Sequence, residues 1–291
     1  MKARALLASL RPHQWTKNLI IFAPLALTRN LFDPASAIRS LAAFVLFCGL
    51  SGTIYLINDL VDVERDRLHP RKRHRPIASG QLSTALALTA ALVLGVGCLS
   101  LSLVLGLAFA LAALVYLVLN LLYSFWLKEV LILDAISVSL CFVIRAVAGA
   151  LAIPVEVSDW LPILTILLAL FLTLCKRRHE LTSLNENASE HRRILSEYSP
   201  YLLDQMIAVV TASCVTAYAF YTTAPETIQK LGTSRLSWTL PFVLYGIFRY
   251  LYLVHRKEQG GSPTDVLLTD RPLLVDVFLW GLTIIAIVYT A

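Results

Sequence analysis

Cysteine is scarce and unpaired in this 291-residue chain: five thiols, Cys48, Cys98, Cys141, Cys175 and Cys214, an odd number scattered through apolar runs with no CxxC spacing. That excludes a disulfide scaffold and a zinc site, and leaves the thiols as small hydrophobes. Charge is also thin, with 15% Asp, Glu, Lys and Arg against 57% hydrophobic residues. No stretch is polar and long enough to link two soluble domains, so residues 1–291 are expected to form a single integral-membrane domain. The six histidines stand singly, and no Ser/His/Asp arrangement occurs, which leaves neither a histidine metal set nor an activated hydroxyl nucleophile. A short apolar core with a small-residue cleavage site is missing from the start; residues 1–18 read instead as a basic amphipathic segment on the membrane surface. The basic residues lie between apolar runs and not on one soluble face, which argues against nucleic acid as a partner.

What the chain does have is hydrocarbon in long runs, with a mean hydropathy of +0.71. The runs divide into about nine segments near the roughly 20 residues a helix needs to cross a membrane, at 14–31, 37–60, 83–104, 106–126, 131–152, 160–178, 202–223, 237–255 and 272–290. The fold class expected is all-α, a polytopic membrane helix bundle. With nine spans, one side receives Lys2, Arg4, Arg11, Lys17, the cations from Arg65 to Arg75, Lys128, Lys176 to Arg178, Arg192, Arg193, Arg256, Lys257 and Arg271. The other keeps only Arg29, Arg39, Lys230 and Arg235, so the rich side is expected to be the cytoplasmic face of the cell (inner) membrane. Trp15, Trp126, Trp160 and Trp238 fall near span ends, where indole favours the interface; Trp280 does not.

The stretch Asn58 to Pro76, NDLVDVERDRLHPRKRHRP, concentrates polar chemistry at the end of the second run. Asn58, Asp59, Asp62 and Asp66 are followed at once by Arg67, Arg71, Lys72, Arg73 and Arg75. Helical positions four apart drift only about 40°, so Asn58, Asp62 and Asp66 form a column of oxygen ligands on one face of a continuing helix, with Asp59 beside it. Mg2+ usually binds through one or two carboxylates plus substrate phosphates, so the column suits a metal shared with a diphosphate. A solvated helix end before a positive-inside loop explains the cations alone, but not four oxygen side chains on one face at a membrane edge.

Three further groups qualify. LCKRRHEL, Leu174 to Leu181, sets Lys176 and Arg177 before Glu180 at helical spacing; it reads either as a positive-inside flank with an ion pair or as a direct phosphate binder. YSFWLKEVLILD gathers Tyr123, Lys128 and Asp134 at the turn before the fifth run. Arg145 lies inside that run, where an ionised side chain costs from about 3 to more than 10 kcal/mol and must face protein or a wet cavity. Asp134 falls near the same face but about 16 Å away along the axis, too far to pair with it directly. SPTDVLLTDRPLL, with Asp265, Asp270, Arg271 and Pro272, reads as the start of the last helix.

NDLVDVERD, Asn58 to Asp66, resembles the NDxxDxxxD signature of the UbiA superfamily of intramembrane prenyltransferases, and the nine-span layout resembles its fold over essentially the whole chain. Within that superfamily the chain is most similar to the decaprenyl-phosphate phosphoribosyltransferases. The matching pieces are LRPHQWTKN (Leu10 to Asn18), NDLVDVERDRLHPRKRHRPIASG (Asn58 to Gly80), IRAVAGALA (Ile144 to Ala152), KRRHEL (Lys176 to Leu181) and DVLLTDRPLL (Asp265 to Leu274). Ordinary members carry a second aspartate-rich stretch after span six that helps hold magnesium on a prenyl diphosphate. Here that position reads KRRHE and keeps only Glu180.

The resemblance implies a pentosyltransferase that moves 5-phosphoribose from phosphoribosyl diphosphate to a polyprenyl phosphate such as decaprenyl phosphate. It implies Mg2+ on Asn58, Asp59, Asp62 and Asp66, the three aspartates being catalytic, with Lys72, Arg73 and Arg75 on the diphosphate. Lys17, Lys176 and Arg177 fall to the lipid phosphate, and Tyr123, Lys128, Arg145 and Glu180 to the substrate region. The alternative is UbiA-type prenyl transfer from a prenyl diphosphate to an aromatic or lipophilic acceptor. A transporter would set ionisable residues near mid-membrane on several helices, whereas only Arg145 lies deep. The sequence is compatible with a homo-oligomer.

Overall fold

The computed structural model describes residues 2–69, 72–153, 155–184, 193–257 and 260–290, so Arg71 and Arg192 lie outside the described residues. Among them the regular structure is helical, with no strand. The α-helices are α1 (Lys2–Ser9), α2 (Ala23–Leu27), α3 (Pro34–Val61), α4 (Val63–Leu68), α5 (Thr84–Leu105), α6 (Leu107–Phe125) and α7 (Leu133–Ala152). They continue with α8 (Trp160–Leu184), α9 (Pro200–Thr223), α10 (Pro225–Leu231), α11 (Leu240–Arg256), α12 (Pro263–Thr269) and α13 (Arg271–Thr290).

Seven of these, α3, α5, α6, α7, α8, α9 and α13, are long and apolar enough to cross a membrane. The expected count of nine is therefore not reproduced by length and composition. The first expected span is a 3-10 helix, Pro12–Phe22, running into the short α2. Pro24 in α2 lacks an N–H and would collide with the carbonyl four residues back, so one continuous α-helix cannot run through it. The eighth is the 17-residue α11, whose Pro241 fits only in a first turn.

Polar residues set the helix starts. Asp33 accepts the Ser36 N–H at 2.9 Å ahead of Pro34, and hydrogen bonds from Ser36 hold its carboxyl below the usual range. Ser83, Ser199 and Ser262 cap α5, α9 and α12 in the same way. Gly106, at φ 125° in a region L side chains avoid, separates α5 from α6.

The chain divides into two compact units, one of residues 1–25, 31–125 and 144–157, the other of residues 26–30, 126–143 and 158–291. In the first unit α3 packs on α5, α6 and the Pro12–Phe22 segment, and Leu56 of α3 and Ala91 of α5 share a core with Ile77 and Leu82. In the second, α8 and α9 pack along their length and α11 packs on α9 and α13, around Phe171, Leu174, Leu203, Tyr250 and Leu253. All five cysteines are buried and none is in a disulfide, as small hydrophobes should be. Large apolar side chains such as Val93, Val104, Leu107 and Phe278 are more than 60% exposed, the surface of a protein bathed in lipid.

Two arginines do local work at helix ends, one in each unit. Arg39 donates to the carbonyls of Ala152 and Leu105, the last residues of α7 and α5. Arg29 donates to Leu231, the last residue of α10, and to Val288 near the end of α13. Each cation meets the negative ends of two helices, where orphan carbonyls need donors.

Small residues bring backbones together in the first unit. A Cβ at Gly149 of α7 would collide with the carbonyl of Ile21. Backbone cannot step aside as a side-chain end can, so Gly149→Ala is expected to destabilise the protein by about 1–3 kcal/mol. Gly97→Ala, which meets nothing within 4 Å, should be neutral or stabilising by up to about 1 kcal/mol. Thermal unfolding in detergent measures both.

Candidate functional site

The acidic stretch does not lie on one unbroken helix. α3 ends at Val61, Asp62 takes φ −92° and ψ 8°, in the region where active-site residues are often found, and α4 resumes at Val63. The i to i−4 bonds Asp62 N–H to Asn58 and Asp66 N–H to Asp62 pass through the break, so the register of the column survives. Asp59 and Asp66 are both 2% exposed, and Asn58 and Asp62 are half-buried.

Two arginines meet these carboxylates. Nη1 of Arg75 donates to Asp66 Oδ2 at 2.6 Å and to Asp59 Oδ1 at 3.1 Å. Nη2 of Arg11 donates to the same Asp59 Oδ1 at 2.6 Å, and its guanidinium lies 4.9 Å from the Tyr55 ring centroid. Among the described residues no three His, Cys, Asp or Glu side chains form a metal-binding group by themselves. Two buried carboxylates, each with one oxygen in these contacts, nevertheless fit Mg2+ bound jointly with substrate phosphates, which asks for only one or two carboxylates from the protein.

Arg145, 5% exposed, sits in a separate network of the first unit. Its Nε donates to Asn18 Oδ1 at 2.7 Å and its Nη2 to the Tyr116 hydroxyl at 2.6 Å, with the Tyr116 ring centroid at 4.6 Å. Ser51 lies 3.1 Å from the same hydroxyl, and Asn18 Nδ2 donates to Cys48. Hydrogen bonds and a ring face replace the water this cation has lost.

The second unit builds a basic cluster on α8. Arg177, 3% exposed, donates through Nε to Asp134 Oδ2 at 2.7 Å and through Nη1 to Glu180 Oε2 at 2.6 Å, and Lys176 lies 3.7 Å from Glu180 Oε1. Asp134 is fully buried and also accepts from the Tyr198 hydroxyl at 2.8 Å. Burial, and the hydrogen bond to Asp134, push the Tyr198 phenol up to about 12, so it stays a donor at neutral pH. The same hydroxyl accepts the N–H of Ile132, a β-branched residue at φ 69°, where strain is real.

Lys17, Lys72 and Lys128 are half-buried and Arg73 is exposed beside His74. Tyr123 belongs to the first unit, Lys128 and Asp134 to the second. Asp270 starts α13 by accepting the Leu273 N–H, and two bonds from Arg249 help hold its carboxyl below the usual range. Sequence reasoning did not single out Arg11, Asn18, Tyr116 or Tyr198 for the site. Arg11 and Asn18 stood inside LRPHQWTKN, which offered a signal; the two tyrosines offered none.

Residues 19–264 match the UbiA prenyltransferase family. The chain is 35% identical to the decaprenyl-phosphate phosphoribosyltransferase of Mycolicibacterium smegmatis, over 98% of this chain and 92% of that one. It is 34% identical to the protein of that name from Corynebacterium glutamicum, over 99% and 87%. Among solved structures, a UbiA homologue from Archaeoglobus fulgidus bound to DMAPP and Mg2+ superposes with a TM-score of 0.73, at 20% identity, covering 98% of this chain and 99% of that one.

Arg177→Met would leave Asp134 buried without its guanidinium, a loss of about 3–5 kcal/mol. Adding Asp134→Asn removes the stranded charge while keeping an acceptor for Tyr198, and should recover at least half of the stability in the same thermal melts.

Proposed function

Because the chain belongs to the UbiA prenyltransferase family and is a multi-pass membrane transferase, we propose that it transfers 5-phosphoribose from phosphoribosyl diphosphate to a polyprenyl phosphate. What supports this most is the end-to-end likeness, at 34% and 35% identity, to proteins named for that chemistry. The cation-rich KRRHE stretch, where a prenyl-diphosphate enzyme would carry aspartates, supports it further. The site faces the cytoplasm, the side on which Lys and Arg are in excess, at the inner membrane.

Asn58, Asp59, Asp62 and Asp66 would hold Mg2+, which when bound would neutralise charge on the leaving diphosphate. Lys72, Arg73 and Arg75 add charge-assisted hydrogen bonds to its oxygens. Lys17, Lys176 and Arg177 hold the lipid phosphate, and Glu180, which engages both Lys176 and Arg177, keeps those two cations in place. Tyr123, Lys128 and Arg145 are the remaining candidates for substrate contact. A bond forms between C1 of the ribose and an oxygen of the lipid phosphate as the bond to diphosphate breaks. That oxygen is already ionised near neutral pH, so no side chain has to remove a proton, in keeping with a site without a histidine dyad.

Purified protein in detergent, with Mg2+, a polyprenyl phosphate and sugar-labelled phosphoribosyl diphosphate, is expected to move label into the organic phase. Asp62→Asn or Asp66→Asn should lower the rate by at least a hundredfold with the fold intact, and unchanged turnover would remove the metal assignment. Lys176→Glu should raise the KM for lipid phosphate about tenfold with the donor KM unchanged. No label transfer by folded protein, and turnover of a prenyl diphosphate with an aromatic acceptor, would replace the reaction class.

A further inference from the structure

The acidic pair already carries its own counter-ions. Asp59 and Asp66 bring two negative charges, and Arg11 and Arg75 bring two positive ones within 3.1 Å. One guanidinium nitrogen, Nη1 of Arg75, touches both carboxylates. A divalent cation approaching this neutral set meets two fixed positive charges at the oxygens it would use. It gains little unless those charges acquire another partner.

Both arginines can reach one. Their side chains are 24% and 27% exposed while the carboxylates are 2% exposed, so each arginine meets the acids and still presents about a quarter of its side chain to a solute. Arg11 is held less firmly by its backbone than by these contacts: it lies at φ 51° and ψ 64°, a left-handed conformation costly for a residue with a Cβ. The Tyr55 ring face and Asp59 keep it there. A planar guanidinium is also the side chain best matched to two phosphate oxygens at once.

We propose that Arg11 and Arg75 are exchangeable counter-ions, which hold Asp59 and Asp66 while the site is empty and pass to diphosphate oxygens when metal and diphosphate enter together. Arg11 thereby becomes a diphosphate-binding residue supplied by the N-terminal segment. The site rejects metal alone and accepts the metal diphosphate. This rests on the metal assignment proposed above.

The test is binding, without turnover. Mn2+ alone is titrated into detergent-solubilised protein by electron paramagnetic resonance, and labelled inorganic pyrophosphate is bound at saturating Mg2+ by equilibrium dialysis. Arg11→Gln and Arg75→Gln are each expected to tighten Mn2+ alone about tenfold and to weaken pyrophosphate about tenfold or more. Arg11→Lys, which keeps the charge and folds more readily, should restore most of the pyrophosphate affinity and leave Mn2+ weak. Gln variants that melt like the parent but leave Mn2+ affinity unchanged, or weaken both ligands together, overturn the exchange. Asp59→Asn retaining full affinity for both ligands overturns the metal assignment itself, whatever the arginine variants do.

Discussion

A charge among helices that face lipid is tolerated only when an opposite charge or a set of hydrogen bonds replaces the water it has lost. This chain meets the constraint with arginine. Asp59 and Asp66 hold Arg11 and Arg75, Asp134 holds Arg177, and Asp270 holds Arg249. The guanidinium stays charged, sheds water more readily than an ammonium and offers several donors in a fixed plane, so one arginine can serve two acceptors at once, as Arg75 and Arg177 do. Lysine is used differently. Lys176 keeps its side chain 40% exposed on a flexible stem, in reach of a mobile anion as well as Glu180.

The acidic stretch was legible because its information is local. Four oxygen side chains on one helix face within nine residues, at the end of an apolar run, need no tertiary contact to be noticed. What spacing could not supply was the break at Asp62, since continuing the helix was the simplest extrapolation from the periodicity. Nor could it supply Arg11, 48 residues from Asp59 in sequence and part of what read as a surface segment. Seven helices met the expectation of length and apolar composition. The segments that fell short are those where a proline, Pro24 or Pro241, overrode hydropathy, because a window average registers proline as a mild polar residue and not as a missing hydrogen bond.

Arg145 shows the boundary between need and solution. Its position in an apolar run required compensation, and the sequence set Asp134 near the same helix face but too far along the axis to supply it. Instead each found its own partners. Arg145 is held by Asn18 and Tyr116, Asp134 by Arg177 and Tyr198. Burial states that a cation must be satisfied; only the packing of distant segments states by what.

The Pro12–Phe22 segment then takes on more weight than a first span would. The chain just before it supplies Arg11 to the acidic pair, and the segment itself supplies Asn18 to Arg145. At the roughly 2 Å rise of a 3-10 helix, seven residues span about 14 Å, so one short rigid stretch can serve both a site near the surface and a cation in the interior. Two absent side chains seat it. A Cβ on Gly52 of α3 would come within 2.7 Å of Leu10 Cδ2, and one on Gly149 of α7 would meet the Ile21 backbone, so the stretch is gripped just before it begins and again near its end. At Gly149 the contact is with backbone, which cannot step aside, whereas at Gly52 it is with the end of a side chain, which can. Asn18 is therefore placed by backbone packing toward the segment's end, while Arg11, just ahead of its start, is held by Asp59 and the Tyr55 ring.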